Sequence, residues 1–448
     1  MSCRHAAYER VKSDLQLAAA TYGYLDAKLL RNELAVDPAA HRASVYLELE
    51  TGERYRFGAT TIDQHSIRPG HIRRYLRYDE GEYYDETKRL RTQFALDDSQ
   101  FFSSVIVEPG TPDRVNHVVP VRISGTSARN GYSFGAGYGT DTGARGTISW
   151  LDPRVNDRGH RLRVQLQGSR TTQNLNVRYD IPFGDPVLEK FSLQFLDQSQ
   201  QISGNVDTSE VSLRPSVTQA LGRWQRVLSA NFAHTVTNDP IIGREVDNLI
   251  VPGITYASVP EGYLGEELFS RTWYAELIGS HSALGARANF LRLDLRAERV
   301  LNLSERWHLL LRAEAGASAV GDFQELPGTF RFFAGGDRSV RGFAYNELSP
   351  TEVSPLTGAV VRIGGRHLFT GTVEFERDLP RRLGVAAFTD FGNAFDRLGD
   401  PLAVSAGMGL RLRLPVVTFG LDLAHALRAP GFPELPGWRV HLNISPKL

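Results

Sequence analysis

From about residue 130 onward, apolar and polar residues alternate in long segments, and this pattern limits the possible folds more than any other feature. In Leu291 to Glu298 the odd positions are leucine or alanine, and the even positions are arginine, aspartate or glutamate. Successive side chains of a strand point to opposite faces. Such a strand therefore needs an apolar medium on one side and water or a polar interior on the other, which is typical of a membrane β-barrel.

The alternation recurs up to the last residues of the chain. We count about sixteen such segments, and bacterial single-chain barrels have an even number of strands. Their predicted starts lie near residues 131, 144, 159, 173, 188, 208, 223, 245, 268, 287, 306, 364, 383, 402, 416 and 437. A soluble sandwich also alternates, but its strands are shorter. We therefore predict a barrel of about sixteen antiparallel strands over residues 127–448, with a long loop at 321–363.

The first 126 residues have shorter strands and helical spacing. Apolar residues recur at helical spacing at Tyr8, Val11, Leu15, Ala18 and Tyr22, which predicts an amphipathic helix from Ala7 to about Leu30. Two strands are predicted after it, at 29–36 and 43–50. A strand, two helices and two strands then follow at 55–62, 71–77, 84–95, 103–108 and 117–123, and the second helix carries Leu90 and Phe94 one turn apart. This order predicts α+β modules at 1–52 and 53–126, the first without its opening strand and helix.

Composition excludes several classes of protein. No run approaches the roughly 18 apolar residues of a membrane helix, although alternation in a barrel keeps the mean hydropathy low, here −0.28. The net charge of zero gives no indication of a nucleic-acid partner. The single cysteine, Cys3, excludes an internal disulfide. The start lacks the apolar core of a signal peptide, so we expect that it is truncated.

A glycine-rich stretch, Gly335 to Phe343, falls in the longest break between alternating segments, and Arg341 provides a planar cation there. A phosphate-binding loop is excluded because no Lys-Ser/Thr pair follows the glycines. An ordinary surface turn remains the alternative. Downstream, Phe388, Asp390 and Gly392 share one face of a predicted strand. Asp390 lies among apolar neighbours and therefore needs a partner.

The sequence does not indicate an enzyme. It contains no Gly-x-Ser-x-Gly and no His-Glu-x-x-His motif, and its twelve histidines form no cluster with ligand spacing. Glu374 and Glu376 share a face and resemble a catalytic carboxylate pair. We favour instead that they are lumen residues near Arg341, Arg411 and Arg413. We predict no catalytic residue, no cofactor and no metal site.

Two motifs together resemble one protein family. Val340-Arg341-Gly342-Phe343 in a loop, with Phe388-Thr389-Asp390-Phe391-Gly392 on a later strand, is similar to the outer-membrane insertase superfamily of BamA, TamA and the two-partner-secretion transporters (bacterial surface antigens). The stretch Gly135 to Gly143, Arg331-Phe332-Phe333 and the ending at residues 445–448 most resemble the TamA branch. The resemblance implies that the loop folds back into the lumen and that Arg341 meets Asp390. The loop motif comprises Gly335, Gly336, Asp337, Val340, Arg341, Gly342 and Phe343.

The resemblance also implies a function and a location. The protein would lie in the bacterial outer membrane, with POTRA domains in the periplasm. It would assemble autotransporters and other outer-membrane proteins together with a periplasm-spanning, TamB-like partner. A POTRA edge strand would capture extended client polypeptide by strand addition, although a passive spacer is the alternative.

Glycines weaken a strand, so the first barrel strand predicts a poorly paired seam with the last one. The expected seam residues are Ser133, Gly135, Gly137 and Gly139, opposite Arg439, His441 and Asn443. A client strand would enter the membrane through this seam. The main alternative is a two-partner-secretion pore that passes unfolded protein through the lumen, and a BamA-type insertase is another. A passive porin has no use for POTRA domains.

Overall fold

The structure is a computed structural model that describes residues 2–37, 42–203, 206–239, 241, 243–258, 271–287, 289–414 and 417–446. It divides into two compact units. The first comprises Met1–Asn130, Asp152–Arg161 and Gly184–Val187, and the second comprises the rest of the chain. None of the helices in the described ranges is long and apolar enough to cross a membrane.

The first unit is an α+β assembly with two separate sheets. Its elements are α1 (Ser2–Thr21), β1 (Lys28–Asp37), β2 (Arg42–Glu50), β3 (Arg56–Asp63), α2 (Pro69–Ile72), α3 (Glu86–Asp98), β4 (Phe102–Pro109) and β5 (Val118–Ser127). β1 and β2 pair antiparallel, and the other sheet has the order β3-β5-β4. β5 is parallel to β3 and antiparallel to β4. The sequence of strand, two helices and two strands is therefore present as predicted.

The first helix is shorter than predicted. It ends at Thr21 rather than near Leu30 because the chain turns at Gly23, whose φ is +87° and where a Cβ atom would lie 2.7 Å from the carbonyl oxygen of Tyr84. Much of its predicted apolar face is also open to solvent, since Val11 and Tyr22 are both 54% exposed. Tyr8 is buried, and its hydroxyl donates to the carbonyl oxygen of Asn32.

Helix α3 packs on the three-stranded sheet. The carboxylate of Asp85 caps its start by accepting from the Thr87 backbone N–H. Its buried side is formed by Thr92, Ala95 and Leu96. Leu90 and Phe94, which indicated the helix, lie on its exposed side. The core of this unit contains large aromatic and aliphatic side chains, including Tyr55, Phe57, Ile72, Tyr75, Leu96, Phe101 and Ile123.

The second unit is a closed antiparallel barrel of sixteen strands in the described residues, which confirms the predicted fold class. No strand begins more than three residues from its predicted start, and the predicted starts near 268 and 416 lie outside the described residues. The strands are β6 (Gly131–Gly139), β7 (Gly143–Asp152), β8 (Arg161–Gly168), β9 (Thr172–Pro182), β10 (Lys190–Ser203), β11 (Val206–Leu221), β12 (Trp224–Asp239), β13 (Gly243–Ser258), β14 (Arg271–Ser280), β15 (Phe290–Ser304), β16 (Trp307–Val320), β19 (His367–Leu379), β20 (Leu383–Phe395), β21 (Ala403–Arg413), β22 (Val417–Arg428) and β23 (Arg439–Pro446).

The alternation of the sequence separates the two faces of the barrel wall. In β15, Leu291, Leu293 and Leu295 are exposed on the outer face, while Asp294 is 1% exposed on the inner face. The outer face is thus apolar and the inner face carries the charges, as a strand between lipid and a polar lumen requires.

The long loop between β16 and β19 is ordered and packs against the inner wall. It contains a short hairpin, β17 (Thr351–Val353) and β18 (Val360–Arg362). Phe332 lies against Gly316 of β16, where an added Cβ atom would be 2.3 Å from its ring. Two apolar clusters join the loop to the strands, one containing Phe332, Val340, Phe343, Leu368 and Ala426 and the other Leu249, Phe290, Leu326 and Val361.

Candidate functional site

The tip of the loop approaches the barrel wall closely enough to require glycine. Gly335 and Gly336 have φ values of +102° and +105°, in the left-handed region that favours glycine. A Cβ atom on Gly342 would lie 2.6 Å from the Ser405 Cβ and 3.0 Å from the Ala426 nitrogen. Glycine at these positions lets the backbone turn and brings Arg341 against the wall.

Arg341 and Asp390 form a buried, bidentate ion pair. The Arg341 Nε donates to Asp390 Oδ2 and its Nη2 donates to Asp390 Oδ1, each at 2.8 Å. The Arg341 backbone N–H also donates to Asp390 Oδ2 at 3.1 Å. The two side chains are 5% and 0% exposed. The structure thus brings together the two residues that the loop and strand motifs indicated.

Two further carboxylates and a second arginine complete this cluster. The Arg341 Nη1 lies 2.8 Å from Glu374 Oε2 and 3.3 Å from Asp422 Oδ2. Arg411 binds the same two carboxylates, with its Nη2 3.0 Å from Glu374 Oε1. Two guanidinium groups therefore face three carboxylates inside the barrel. Removing one member leaves buried charges without partners, which is strongly destabilising.

Neutral groups support the same cluster. The Arg341 guanidinium carbon lies 3.2 Å from the centre of the Phe388 ring, a cation–π contact. Thr372 donates to Asp390 Oδ1 at 3.0 Å. Phe388 is 4% exposed, so it shields one side of the ion pair from water. At Gly392, the last residue of the strand motif, a Cβ atom would be 2.4 Å from the Phe369 carbonyl oxygen, so the backbone needs glycine there.

The structure pairs both glutamates of β19 with arginines. Glu374 binds Arg341 and Arg411, and Glu376 forms an ion pair with Arg413. Their positions agree with lumen residues held by cations.

A second buried arginine anchors the loop elsewhere. Arg331 is 1% exposed at its side chain and pairs with Asp239 at the end of β12, with 3.2 Å between Nη1 and Oδ2. It also donates to three loop carbonyl oxygens, those of Leu326 at 2.8 Å, Gln324 at 3.0 Å and Ile363 at 3.1 Å. Arg331 thereby joins the two ends of the loop to one strand.

The seam between the first and last barrel strands is very short. β23 and β6 share only two residue pairs in the described chain, Asn443 with Gly139 and Ile444 with Tyr138. A Cβ atom on Gly137 would lie 2.7 Å from the Ile444 carbonyl oxygen, so glycine permits close contact here. Within the described residues, the register of β23 pairs with the C-terminal end of β6 and does not extend to Ser133 and Gly135.

The predicted seam residues of β23 contact both the loop and the first barrel strands, since Arg145 Nη2 of β7 donates to Asn443 Oδ1 at 3.1 Å. His441 Nε2 lies 2.7 Å from the Arg341 carbonyl oxygen, and Arg439 lies 3.2 Å from Glu347 Oε2. Asn443 Nδ2 lies 3.5 Å from Asp337 Oδ2. On the other side of the seam, Asp141 accepts from the Asp337 backbone N–H at 2.9 Å. The loop tip thus contacts both the last strand and the turn that follows β6.

Sequence reasoning missed several members of this site, including Asp141, Asp239, Glu347 and Asp422. Asp422 lies between Leu421 and Leu423 on β22, the same signal of a charge in an apolar strand that identified Asp390. Asp141 lies in a turn, where no alternation reveals its direction. Among the described residues, no group of histidine, cysteine, aspartate or glutamate is arranged to hold a metal ion.

The sequence is similar to a known protein family and to a characterised relative. A profile of the Omp85 superfamily domain matches residues 266–445. The outer membrane protein assembly factor BamA of Neorickettsia risticii (strain Illinois) is 24% identical over 384 residues, which is 80% of this chain and 50% of that protein. The chain therefore spans about half the length of this relative.

Solved structures share the fold at low sequence identity. The crystal structure of BamA from Haemophilus ducreyi lacking POTRA domains 1–3 matches 99% of this chain and 94% of that chain, with a TM-score of 0.76 and 13% identity. CdiB from Acinetobacter baumannii matches 96% of this chain and 79% of that chain, with a TM-score of 0.55 and 15% identity. These matches agree with the barrel fold, and they do not distinguish the TamA branch.

Proposed function

We propose that this chain, which belongs to the Omp85 superfamily, assembles other proteins in the bacterial outer membrane by opening the seam between β6 and β23. The observation that carries the proposal is the seam itself. Among the described residues it has two residue pairs, whereas β12 and β13, which are adjacent to each other elsewhere in the barrel, share sixteen. In a barrel that remains closed, we would expect the first and last strands to share a backbone ladder as long as those of the other strand pairs.

The energetics favour opening at this place. The net contribution of a backbone hydrogen bond to stability is about 0.5–1.5 kcal/mol. Separating two residue pairs therefore costs far less free energy than separating sixteen. The backbone groups released at β6 and β23 can then pair with an incoming client strand. Burial of the client's apolar face supplies the free energy for its insertion. The proposed activity therefore needs no nucleotide and no catalysis.

The finer features of the proposal concern location and partners. The first unit would lie in the periplasm and consist of POTRA modules. The order of its strands and helices supports this assignment. Clients would include autotransporters, and a periplasm-spanning, TamB-like protein would be a partner. The glycine-rich stretch from Gly135 to Gly143 and Arg331-Phe332-Phe333 support this branch.

Transport through the lumen is the second candidate. The similarity to CdiB from Acinetobacter baumannii extends over 96% of this chain. In this case unfolded polypeptide would cross inside the barrel, and the loop held by Arg341 would have to leave the lumen. The seam would then stay closed throughout transport.

A disulfide across the seam tests the proposal. Tyr138 and Ile444 are register partners, and bridging requires Cα atoms within about 7 Å. In a Cys3→Ser background, oxidised Y138C/I444C should fold as a heat-resistant barrel but fail to assemble an autotransporter client in vesicles. Reduction should restore assembly.

The matched control is L228C/I254C, a register pair of β12 and β13. Oxidation of this pair should leave assembly unchanged, because those strands do not separate. If a fully oxidised seam assembles the client at the normal rate, lateral opening is refuted and transport through the lumen is favoured.

A further inference from the structure

Two neighbouring turns of the barrel wall, together with the strand ends beside them, carry four exposed arginines. The turns join β15 to β16 and β19 to β20, at the end of the barrel opposite the long loop. The backbones of this region are in contact, because the Asp378 N–H donates to the Arg306 carbonyl oxygen at 2.8 Å. We call the four residues the arginine patch: Arg306, Arg377, Arg381 and Arg382.

The arginine patch has little negative charge beside it. On the inner face of the barrel, Arg411 and Arg413 each pair with two carboxylates. In the part of the chain that the structure describes, none of the four patch arginines forms an ion pair. Of the nearby carboxylates, Asp378 already binds Arg413 and His308, which leaves Glu305 in the β15–β16 turn. The patch is therefore a surface with a strong excess of positive charge.

Exposed apolar side chains adjoin the patch on the outer face of the wall. Trp307, the register partner of Arg377, is 44% exposed, and the guanidinium carbon of Arg377 lies 5.1 Å from the centre of its ring. Leu303 and Leu383, beside the two turns, are 57% and 44% exposed. Tryptophan and arginine side chains together are typical of the boundary between hydrocarbon and headgroups. This combination fits a ligand that has both an anionic group and acyl chains.

The backbone of the β19–β20 turn is strained at two of these arginines. Arg381 and Arg382 both have a φ of +65°, in the left-handed region that favours glycine. Strain of this kind is typical of positions that serve a function. The turn thus holds two cations where glycine would adopt the same conformation without strain, so its geometry alone does not account for them.

We propose that the arginine patch binds the phosphate headgroup of an anionic phospholipid in the leaflet at this end of the barrel. Guanidinium groups bind phosphate oxygens through paired N–H donors. The acyl chains would lie against Trp307 and the leucines of the outer face. This site goes beyond the proposed function, since it requires only that the barrel lies in a bilayer.

Quenching of Trp307 fluorescence by brominated lipids tests the inference at the site itself. The full chain, with its other four tryptophans replaced by phenylalanine, is reconstituted into phosphatidylcholine vesicles. The vesicles contain a minor component of either brominated phosphatidylglycerol or brominated phosphatidylcholine. At about 0.1 M salt, phosphatidylglycerol should be enriched about fivefold around Trp307 relative to phosphatidylcholine. At about 1 M salt the enrichment should fall, because the Debye length decreases from about 10 Å to about 3 Å.

A second reporter shows whether the enrichment is local. Trp438 is 66% exposed and stacks on His425 at the opposite end of the barrel. A chain that retains Trp438 as its one tryptophan should show no preference between the two brominated lipids.

Substitutions separate lipid binding from folding. R306Q/R377Q/R381Q/R382Q should remove the enrichment at Trp307. R158Q/R223Q/R397Q/R428Q removes the same charge at other exposed positions and should retain it. R381G/R382G should lower the enrichment about twofold, and its barrel should unfold at the same temperature as wild type or a higher one, because glycine relieves the strain of the turn.

Three results overturn the inference. The first is equal quenching of Trp307 by the two lipids, and the second is equal loss of enrichment in the two quadruple variants. The third is equal quenching together with a polyglutamate peptide that binds the full chain but not the patch variant, which would assign the patch to an acidic protein partner. Seam cross-linking is read out by client assembly, so the proposed function holds or fails separately from this result.

Discussion

Two strand pairs of the same barrel are held together by different forces. β12 and β13 share sixteen residue pairs, and their backbones hold them together over their whole length. In the described residues β6 and β23 share two, and side-chain contacts across the seam, among them those of the loop tip, add to these pairs. Asp141 on one side accepts from the Asp337 backbone, and His441 on the other side binds the Arg341 carbonyl oxygen.

The difference shows how a closed barrel can keep one place easy to open. A long backbone ladder separates only if many hydrogen bonds break together. A few side-chain contacts to a loop can be exchanged one at a time, and the loop itself remains fixed to β20 by Arg341 and to β12 by Arg331. The seam is thus stabilised by a loop that does not depend on the seam for its own position.

Loss of Arg341 should have the largest effect on the free energy of unfolding. Arg341→Ala leaves the buried carboxylates of Asp390, Glu374 and Asp422 without their shared cation, and breaking a buried ion pair costs about 3–5 kcal/mol. The free energy of unfolding in urea, measured in detergent micelles, should fall by this amount. Arg341→Lys should recover only part of it, because lysine cannot form the bidentate contact. The R341A/D390A double variant should be no less stable than either single variant, and additive losses would argue against a direct pair.

Arg331→Ala should rank second. It leaves one buried carboxylate, Asp239, unpaired, with an expected loss near the lower end of the range of about 3–5 kcal/mol for buried pairs. Because Arg331 binds the ends of the loop and not its tip, the rate of disulfide formation in Y138C/I444C should stay close to that of wild type. The same rate should rise in Arg341→Ala. Equal acceleration by both substitutions would show that the loop moves as a whole.

Removal of His441 should weaken the seam selectively. His441→Ala leaves the Arg341 carbonyl oxygen without this donor, and an unsatisfied buried group costs about 1–3 kcal/mol. Amide hydrogen exchange of β23 should accelerate, with little change in β12. His234→Ala on β12 is the matched control. It removes an exposed hydrogen bond between His234 and Asn248, and the sixteen residue pairs of β12 and β13 remain. If both variants accelerate exchange equally, the loop contacts do not determine seam stability.

The smallest effect is expected at an accessible ion pair of a well-paired wall. Arg312 and Glu298 on β16 and β15 lie 3.0 Å apart, with side chains 32% and 42% exposed. Accessible pairs of this kind contribute under about 1 kcal/mol. Glu298→Gln should therefore change neither the unfolding free energy by more than that amount nor the oxidation rate of the seam cysteines. A larger loss of unfolding free energy would mean that the backbone hydrogen bonds between these strands contribute less to the stability of the wall than we infer.

The sequence by itself determined the strand count, the strand starts and the direction of the apolar face. These follow from alternation, a local property that is repeated in every strand. It also indicated Arg341 and Asp390, because a lone charge on an apolar strand must be neutralised. Asp422 carried the same signal, but a pattern along one strand does not show which charges from four different strands meet.

Only the tertiary structure decided how the seam closes and how the sheet edges of the first unit are covered. Register depends on the partner strand, so the glycines of β6 could not show that the described residues of β23 pair with Gly139 and Tyr138 alone. Similarly, helical spacing identified α3 but not that Gln93 would occupy the edge of β4. Both features arise from side chains and backbones distant in sequence, and their geometry exists only once the chain has folded.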